Sequence, residues 1–222
     1  MMYQMSITPE EMENLPPMSF PGKIKVIEST GLDYLRAVAY LKTQKIVGFD
    51  TESRPSFAPH QPHYGVSLLQ LSGQRRAFLF RIKMMGGIPK ALRSILSDEK
   101  IIKVGAAVYD DVRGLEKNTG FAPKSFVDLQ KIVWEYGIKD KSVKKMSAII
   151  MGGRISKAQQ LSNWEAPQLT EAQQSYAATD AWICREMYLK LLNSEKHPLT
   201  PEQLMPNQPK NVQNDKNIPE ER

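Results

Sequence analysis

Apolar and polar positions follow two rhythms along the chain, one of period two and one near 3.6, and the switches between them outline the elements. KIKVIE (23–28) and KIVGFDTE (45–52) predict strands. Between them Ser29 or Thr30 is placed to cap a helix in which Leu32, Leu35, Ala39 and Leu41 fall near helical spacing. The Pro-rich stretch 53–65 predicts a loop. VSLLQLS (66–72) and RAFLFRI (76–82) flank Gly73–Arg75 and predict an antiparallel hairpin. IPKALRSIL predicts a short helix, 100–105 a buried strand, Asp110 to Asn118 a helix, and 125–129 a last short strand. The remaining pattern is helical over 129–137, 141–151 and 170–193. Strands separated by helices, one hairpin and a helical last third imply an α/β domain built on a mixed β-sheet flanked by helices.

The flanks differ from this middle. Residues 1–21 are acidic, Pro-punctuated and aperiodic, which predicts an extended N-terminal arm ahead of a domain over 22–194. Residues 195–222 are rich in Pro, Asn and Gln with few apolar anchors, which predicts a disordered polar tail.

Charge sharpens the picture. The net charge is +6, but the arm holds Glu10, Glu11 and Glu13 with no Lys or Arg, and residues 195–222 hold four basic and five acidic side chains. The middle therefore carries 26 basic and 16 acidic residues, as suits a polyanionic partner such as nucleic acid. No apolar run approaches the roughly 20 residues of a membrane helix, so no membrane association is expected. The start has no basic region followed by an apolar stretch and predicts no signal peptide. Cys184 is the single cysteine; it excludes an internal disulfide and fits a reducing cytoplasm. No obligatory protein partner is legible.

Three short segments concentrate carboxylates. Asp50 and Glu52 are two apart on a strand, so their side chains leave the same face. In KVGAAVYDDVRGL a strand ends, turns at Gly105 and Ala106, and opens a helix with Asp110 and Asp111. In QQSYAATDAW, Tyr176 and Asp180 are one helical turn apart. Singly, each has an ordinary explanation: a solvated strand end, acids at a helix N-terminus, a core tyrosine beside a surface acid. Gathered in one cleft they would repel by roughly 4 kcal/mol per pair at ~4 Å and an effective dielectric near 20, and would require protons or divalent cations. Hard oxygen ligands with no Cys or His set select Mg²⁺ or Mn²⁺.

VGFDTESRP, KVGAAVYDDVRGL and YAATD resemble the three motifs of the DEDD-type 3′–5′ exonucleases, in the order of the ribonuclease D and Werner-syndrome exonuclease branch. KAQQLSNWEAPQLTEAQQSYAATDA is similar to that branch's Ser-x-Trp segment and third motif, and VSLLQLS to its third strand. The resemblance covers about residues 23–192 and implies a ribonuclease H-like fold. It implies metal ligation by Asp50, Glu52, Asp111 and Asp180, with Tyr176 marking the tyrosine subgroup. Asp111 matches the second motif better than Asp110 and shares a helix face with Leu115. Two ions would follow: Asp50 bridging them, Glu52 and Asp180 on the nucleophile side, and Asp111 on the leaving-group side. The substrate would be single-stranded DNA or RNA with a free 3′ end, and the products nucleoside monophosphates. The loop 53–65 is longer and richer in Pro and His than the family pattern, and where ribonuclease D continues into a helical domain this sequence continues into the polar tail.

Further candidates have two faces. Lys157, Arg154, Arg54 and the Lys103 region are placed for phosphates, or are solvated side chains. Leu68, Leu69 and Phe57 offer an apolar wedge for a terminal base, or are strand core. Ser162 is a candidate phosphate contact, and Trp164 reads as a packing anchor. Trp134 and Trp182 read as core and Cys184 as buried filler. His60 and His63 lack further zinc ligands. Two other functions stay open on the sequence: a nucleic-acid-binding module without catalysis, and a phosphodiesterase of small oligonucleotides.

Overall fold

A computed structural model describes residues 2–55, 65–116 and 120–205 of the chain. Six strands, β1 (Lys23–Ile27), β2 (Ile46–Ser53), β3 (Val66–Ser72), β4 (Arg76–Phe80), β5 (Ile102–Gly105) and β6 (Phe126–Asp128), form one sheet in the order β1-β4-β3-β2-β5-β6. β2, β3 and β4 are antiparallel neighbours, β1 lies parallel to β4, and β5 and β6 continue the sheet parallel to β2. The sheet is therefore mixed, and the expected hairpin forms with Leu71 opposite Phe78. The helices are α1 (Pro9–Glu13), α2 (Leu32–Lys42), α3 (Lys90–Leu96), α4 (Val108–Glu116), α5 (Leu129–Ile132), α6 (Val143–Met151), α7 (Glu171–Leu192) and α8 (Pro201–Leu204). A 3₁₀ turn, Val133–Tyr136, extends α5.

The alternation of β2 sorts its side chains between two layers. Val47 and Phe49 enter a core shared with Leu69, Leu71, Phe78 and Phe80 of the sheet and with residues of α2, α3 and α4. Fully burying side chains of this size contributes roughly 1.5–3 kcal/mol each. Gly48 faces α7. A Cβ on Gly48 would lie 1.8 Å from the Ala181 carbonyl oxygen, so only glycine admits the helix at this distance. α7 meets the sheet through small residues, Ala177, Ala178 and Ala181, all fully buried. The long helix is fixed at its start by a reciprocal capping box between Thr170 and Gln173.

α2 departs from the sequence reading. Its N-cap is Gly31, with no side-chain cap, rather than Ser29 or Thr30. Its buried face is Tyr34, Ala37, Val38 and Leu41, while Leu32 and Leu35 are exposed. Helical spacing allows either stripe; contact with β1 and α3 selects the one with the aromatic. The arm is not simply extended: Thr8 and Glu11 form a capping box that starts α1, and Met12 is buried with Ile7 and Ala148. Residues 195–205, read as disordered, dock instead: the Leu199 N–H donates to the Trp134 carbonyl, Leu199 is buried, and α8 follows. The rest of the predicted tail lies outside the described residues. Among the described residues no helix is long and apolar enough to cross a membrane.

Candidate active site

β2 carries Asp50 and Glu52 out of the sheet on the α7 side, and the close approach at Gly48 sets Asp180 of α7 against them. One carboxylate oxygen from each of Asp50, Glu52 and Asp180 lies within 4.8 Å of the others. Asp180 is 3% exposed. Its Oδ2 accepts from Lys157 Nζ at 2.7 Å, and its Oδ1 is buried without a hydrogen-bond partner among the described residues. Three carboxylates at this spacing repel by roughly 3–4 kcal/mol per pair at an effective dielectric near 20, more than one ammonium offsets.

The proton affinities register the crowding. Burial, then the charges of Asp180 and Asp111, hold the Asp50 carboxyl well above the usual carboxylate range. Burial and Asp50 push Glu52 up to about 9. Burial also raises Asp180, against the pull of Lys157. An orphaned buried acceptor, an ammonium in a cation's place and an all-oxygen donor set fit a hard divalent ion.

Asp111 stands apart from these three. Thr51, whose side chain leaves β2 opposite to Asp50 and Glu52, donates to Asp111 Oδ1 at 2.6 Å. Burial raises Asp111 to about 6, and its charge is felt at both Asp50 and Glu52. Asp110 is exposed. The turn before α4 aims Asp111: Ala107 adopts the left-handed φ of 57°, and its N–H donates to Asp128 Oδ1 at 3.0 Å. The expected convergence of four acids is thus met by three, with Asp111 one hydrogen bond away on the Thr51 side.

The Tyr176 ring packs on Trp164, centroids 5.8 Å apart, and Trp164 is 1% exposed, a packing anchor in fact. The Tyr176 hydroxyl shares Lys157 with Asp180: Lys157 Nζ sits 3.5 Å from that hydroxyl and 5.2 Å from the ring centre. Burial and Asp180 push the phenol pKa up, so it keeps its proton at neutral pH. Gln173 Nε2 donates to Ser162 Oγ (3.0 Å) and the Asn163 carbonyl (3.1 Å), tying the Ser-x-Trp segment to the start of α7. Glu165 in that segment accepts from Ser67 and Lys83, and the nearby Arg54 charge helps hold its pKa down. Arg54 itself is exposed at the end of β2.

Other candidates are placed elsewhere. Leu69 is fully buried in the sheet core, as is Leu68 on the other face, so neither wedges a base. Lys103 is fully buried and donates to the Asp98 and Ile101 carbonyls at 2.8 and 2.7 Å. Burial lowers it to about 8, and it does not reach the surface for a phosphate. Trp134 is 36% exposed rather than core, its Nε1 donating to the Lys131 carbonyl. Trp182 is partly buried against Phe20, and Cys184 is buried and free. Phe57, His60 and His63 lie outside the described residues. Sequence reasoning missed the role of Thr51: alternation puts its side chain on the face opposite Asp50 and Glu52, but only the fold brings Asp111 to that face.

Residues 28–195 match the sequence model of a family described as 3′–5′ exonuclease. The Drosophila melanogaster exonuclease 3′–5′ domain-containing protein 2 is 36% identical over 155 residues, covering 68% of this chain and 26% of that protein. The mouse bifunctional 3′–5′ exonuclease/ATP-dependent helicase WRN is 30% identical over 190 residues, covering 82% of this chain and 13% of its own. The chain thus spans about a quarter or less of these two relatives. Among solved structures, Trypanosoma brucei RNase D in complex with RNA U12 superposes with a TM-score of 0.67 at 20% identity, over 79% of this chain and 64% of that one. At that identity the likeness is one of fold, the ribonuclease H-like mixed sheet flanked by helices.

Proposed function

The chain belongs to the 3′–5′ exonuclease family, and on that premise we propose that it hydrolyses single-stranded DNA or RNA from the 3′ end and releases nucleoside monophosphates. The observation that carries this is the trio Asp50, Glu52 and Asp180, whose oxygens lie within 4.8 Å of one another. Their mutual repulsion is tolerable only with protons or cations between them. Asp50, Glu52 and Asp180 would hold divalent ions, Mg²⁺ or Mn²⁺, with Asp111 beside them on the Thr51 side. A pair of such ions, when bound, supplies an acidified water and neutralises charge on the scissile phosphate.

The chain's own groups do the rest. Water attacks the phosphorus of the terminal nucleotide, the bond from that phosphorus to the preceding 3′-oxygen breaks, and the shortened strand leaves with a 3′-hydroxyl. Tyr176 keeps its proton and orients the attacking water by hydrogen bonding; it is not the base. Trp164, stacked on the ring, holds that orientation. Lys157 pairs with Asp180 and would offer its ammonium to a phosphate oxygen of the bound strand. Ser162, tied to Gln173 at the start of α7, and Arg54, exposed just beyond β2, are the further candidates for strand contact. Recognition of RNA by a structural neighbour and the exonuclease name of the mouse relative support a nucleic-acid substrate. The single, buried, free Cys184 supports a cytoplasmic setting.

The test is a 5′-labelled oligonucleotide, DNA and RNA of one sequence side by side, with Mg²⁺ or Mn²⁺ and with EDTA. A ladder that shortens from the 3′ end is expected. Binding without cleavage would make the protein a nucleic-acid-binding module, and hydrolysis confined to dinucleotides a small-oligonucleotide phosphodiesterase.

A further inference from the structure

The N-terminal arm is pinned along the flank of the domain. Lys139 N–H donates to the Met5 carbonyl (2.8 Å), and Ile7 N–H to Asp140 Oδ2 (3.1 Å). Pro16 and Met18 bracket Arg154 in a parallel bridge, the Arg154 N–H donating to Pro16 O at 2.9 Å and the Met18 N–H to Arg154 O at 2.8 Å. Gly153 lets the Met18 side chain lie close against the domain, where a Cβ would meet its Sδ at 2.0 Å. Phe20 N–H donates to Thr179 Oγ1 at 3.0 Å, one residue from Asp180.

Between the arm and the domain runs a groove. One cavity, about 560 Å³, is bounded by Met12 and Glu13 of the arm on one side and by Lys144, Arg154 and Lys157 on the other. A second, about 240 Å³, shares Met18, Ser19 and Ser156 with it and reaches Tyr176. The two together connect the carboxylate site, through Lys157 and Tyr176, to the exposed start of α6. Lys144 is exposed and has no ionic or hydrogen-bond partner for its ammonium among the described residues. Arg154 donates its Nε to the Leu15 carbonyl (3.0 Å) and is an exposed lining residue of the groove. Glu13 is the single acid among the described lining residues. A trail of cations leading from the proposed phosphodiester-cleaving site, with the half-buried Met18 beside it, has the chemistry of a single-strand path: charge for phosphates, an apolar side chain for a base.

We propose that this groove, walled by the N-terminal arm, binds the phosphodiester backbone of the strand 5′ to the terminal nucleotide, with Lys144 as its distal phosphate contact. The inference rests on the nuclease reading for the position of the 3′ end. The arm thereby sets substrate length: a dinucleotide occupies only the carboxylate site, whereas a longer strand also gains the groove.

The experiment compares wild type, Lys144→Glu and Glu13→Lys, both changes on exposed positions. Each is assayed for kcat/KM on a dinucleotide and on an octanucleotide across a salt series. In parallel, anisotropy of the labelled octanucleotide is read in EDTA. Lys144→Glu is expected to lower octanucleotide kcat/KM about tenfold, the effect of losing one charge-assisted contact. It should reduce the salt slope by about 0.7, the single-strand value per phosphate, and leave dinucleotide hydrolysis unchanged. Glu13→Lys should shift the octanucleotide the other way. The groove assignment is overturned if both variants match wild type at each length and in the anisotropy titration. Loss of cleavage of every substrate by wild type itself would sink the nuclease reading instead, and the anisotropy arm would still decide the groove.

Discussion

Gly48 of β2 and Ala181 of α7 touch backbone to backbone: a Cβ at position 48 would stand 1.8 Å from the Ala181 carbonyl oxygen. The contact is two residues from Asp50 on one side and one residue from Asp180 on the other, so it sets the spacing of two of the site's three clustered carboxylates. Gly48→Ala must push α7 off the sheet. It is expected to cost about 1–3 kcal/mol of stability, as overpacking does. Activity should fall by about 10²-fold, the scale of a misplacement near 1 Å. Urea unfolding and steady-state cleavage on the same preparation check both, and a variant with unchanged activity would mean that the helix does not position Asp180.

On the proposed mechanism Asp50 and Tyr176 divide the chemistry unequally. Asp50→Ala is expected to remove about 10³-fold or more of the activity, the scale of losing a principal electrostatic stabiliser. Tyr176→Phe keeps the ring on Trp164 and loses only the hydroxyl, for about 10²-fold or less. The reverse ranking at about pH 8 would make the phenol the base after all.

The crowded carboxyls predict a pH dependence of stability in the ion-free protein. Glu52 rises from 4.5 to about 9 and Asp111 from 3.8 to about 6 on folding. The folded state thus binds these protons more tightly than the unfolded chain. Their contribution is complete below the unfolded values and is lost as the pH climbs through about 6 and then about 9. In EDTA the melting temperature should therefore fall across this window, and the gain on adding Mn²⁺ should grow with pH. An EDTA melting temperature that stays flat or rises would contradict the clustering.

Asp128 is a cap for two segments at once. Its Oδ1 accepts from Ala107 N–H and from Gln130 N–H, each at 3.0 Å. Asp128→Ala leaves both donors unpaired and releases the left-handed turn that aims Asp111. A loss of about 2 kcal/mol is expected, with Asn at the same position recovering most of it; equal stabilities for Ala and Asn would remove the capping role.

The parts of this architecture that local chemistry dictates were legible in the sequence. Period-two alternation located β2 and put Asp50 and Glu52 on one face; the i, i+4 spacing joined Tyr176 to Asp180. What escaped depends on which neighbour an element meets. Leu32 and Leu35 carry helical spacing as well as Val38 and Leu41 do, and only the docking of α2 on the sheet chooses. Leu69 and Lys103 are both on strands whose two faces are covered, so a leucine suited to a wedge and a lysine suited to a phosphate both end in the interior. Asp111 is held by Thr51 because the Gly105–Val108 turn places α4 on the far side of β2, a direction that no spacing rule encodes. The arm reads only as extended in the sequence because its anchors, Phe20 on Thr179 and Pro16 on Arg154, are long-range.

The most direct measurement of the central claim follows Mn²⁺ binding by calorimetry and 3′ shortening of a 5′-labelled oligonucleotide on the same samples of wild type, Glu52→Gln and Asp180→Asn. Binding and cleavage should fall together in both variants, and EDTA should stop cleavage by the wild type. Shortening that persists in EDTA, or in a variant that no longer binds the ion, would contradict it.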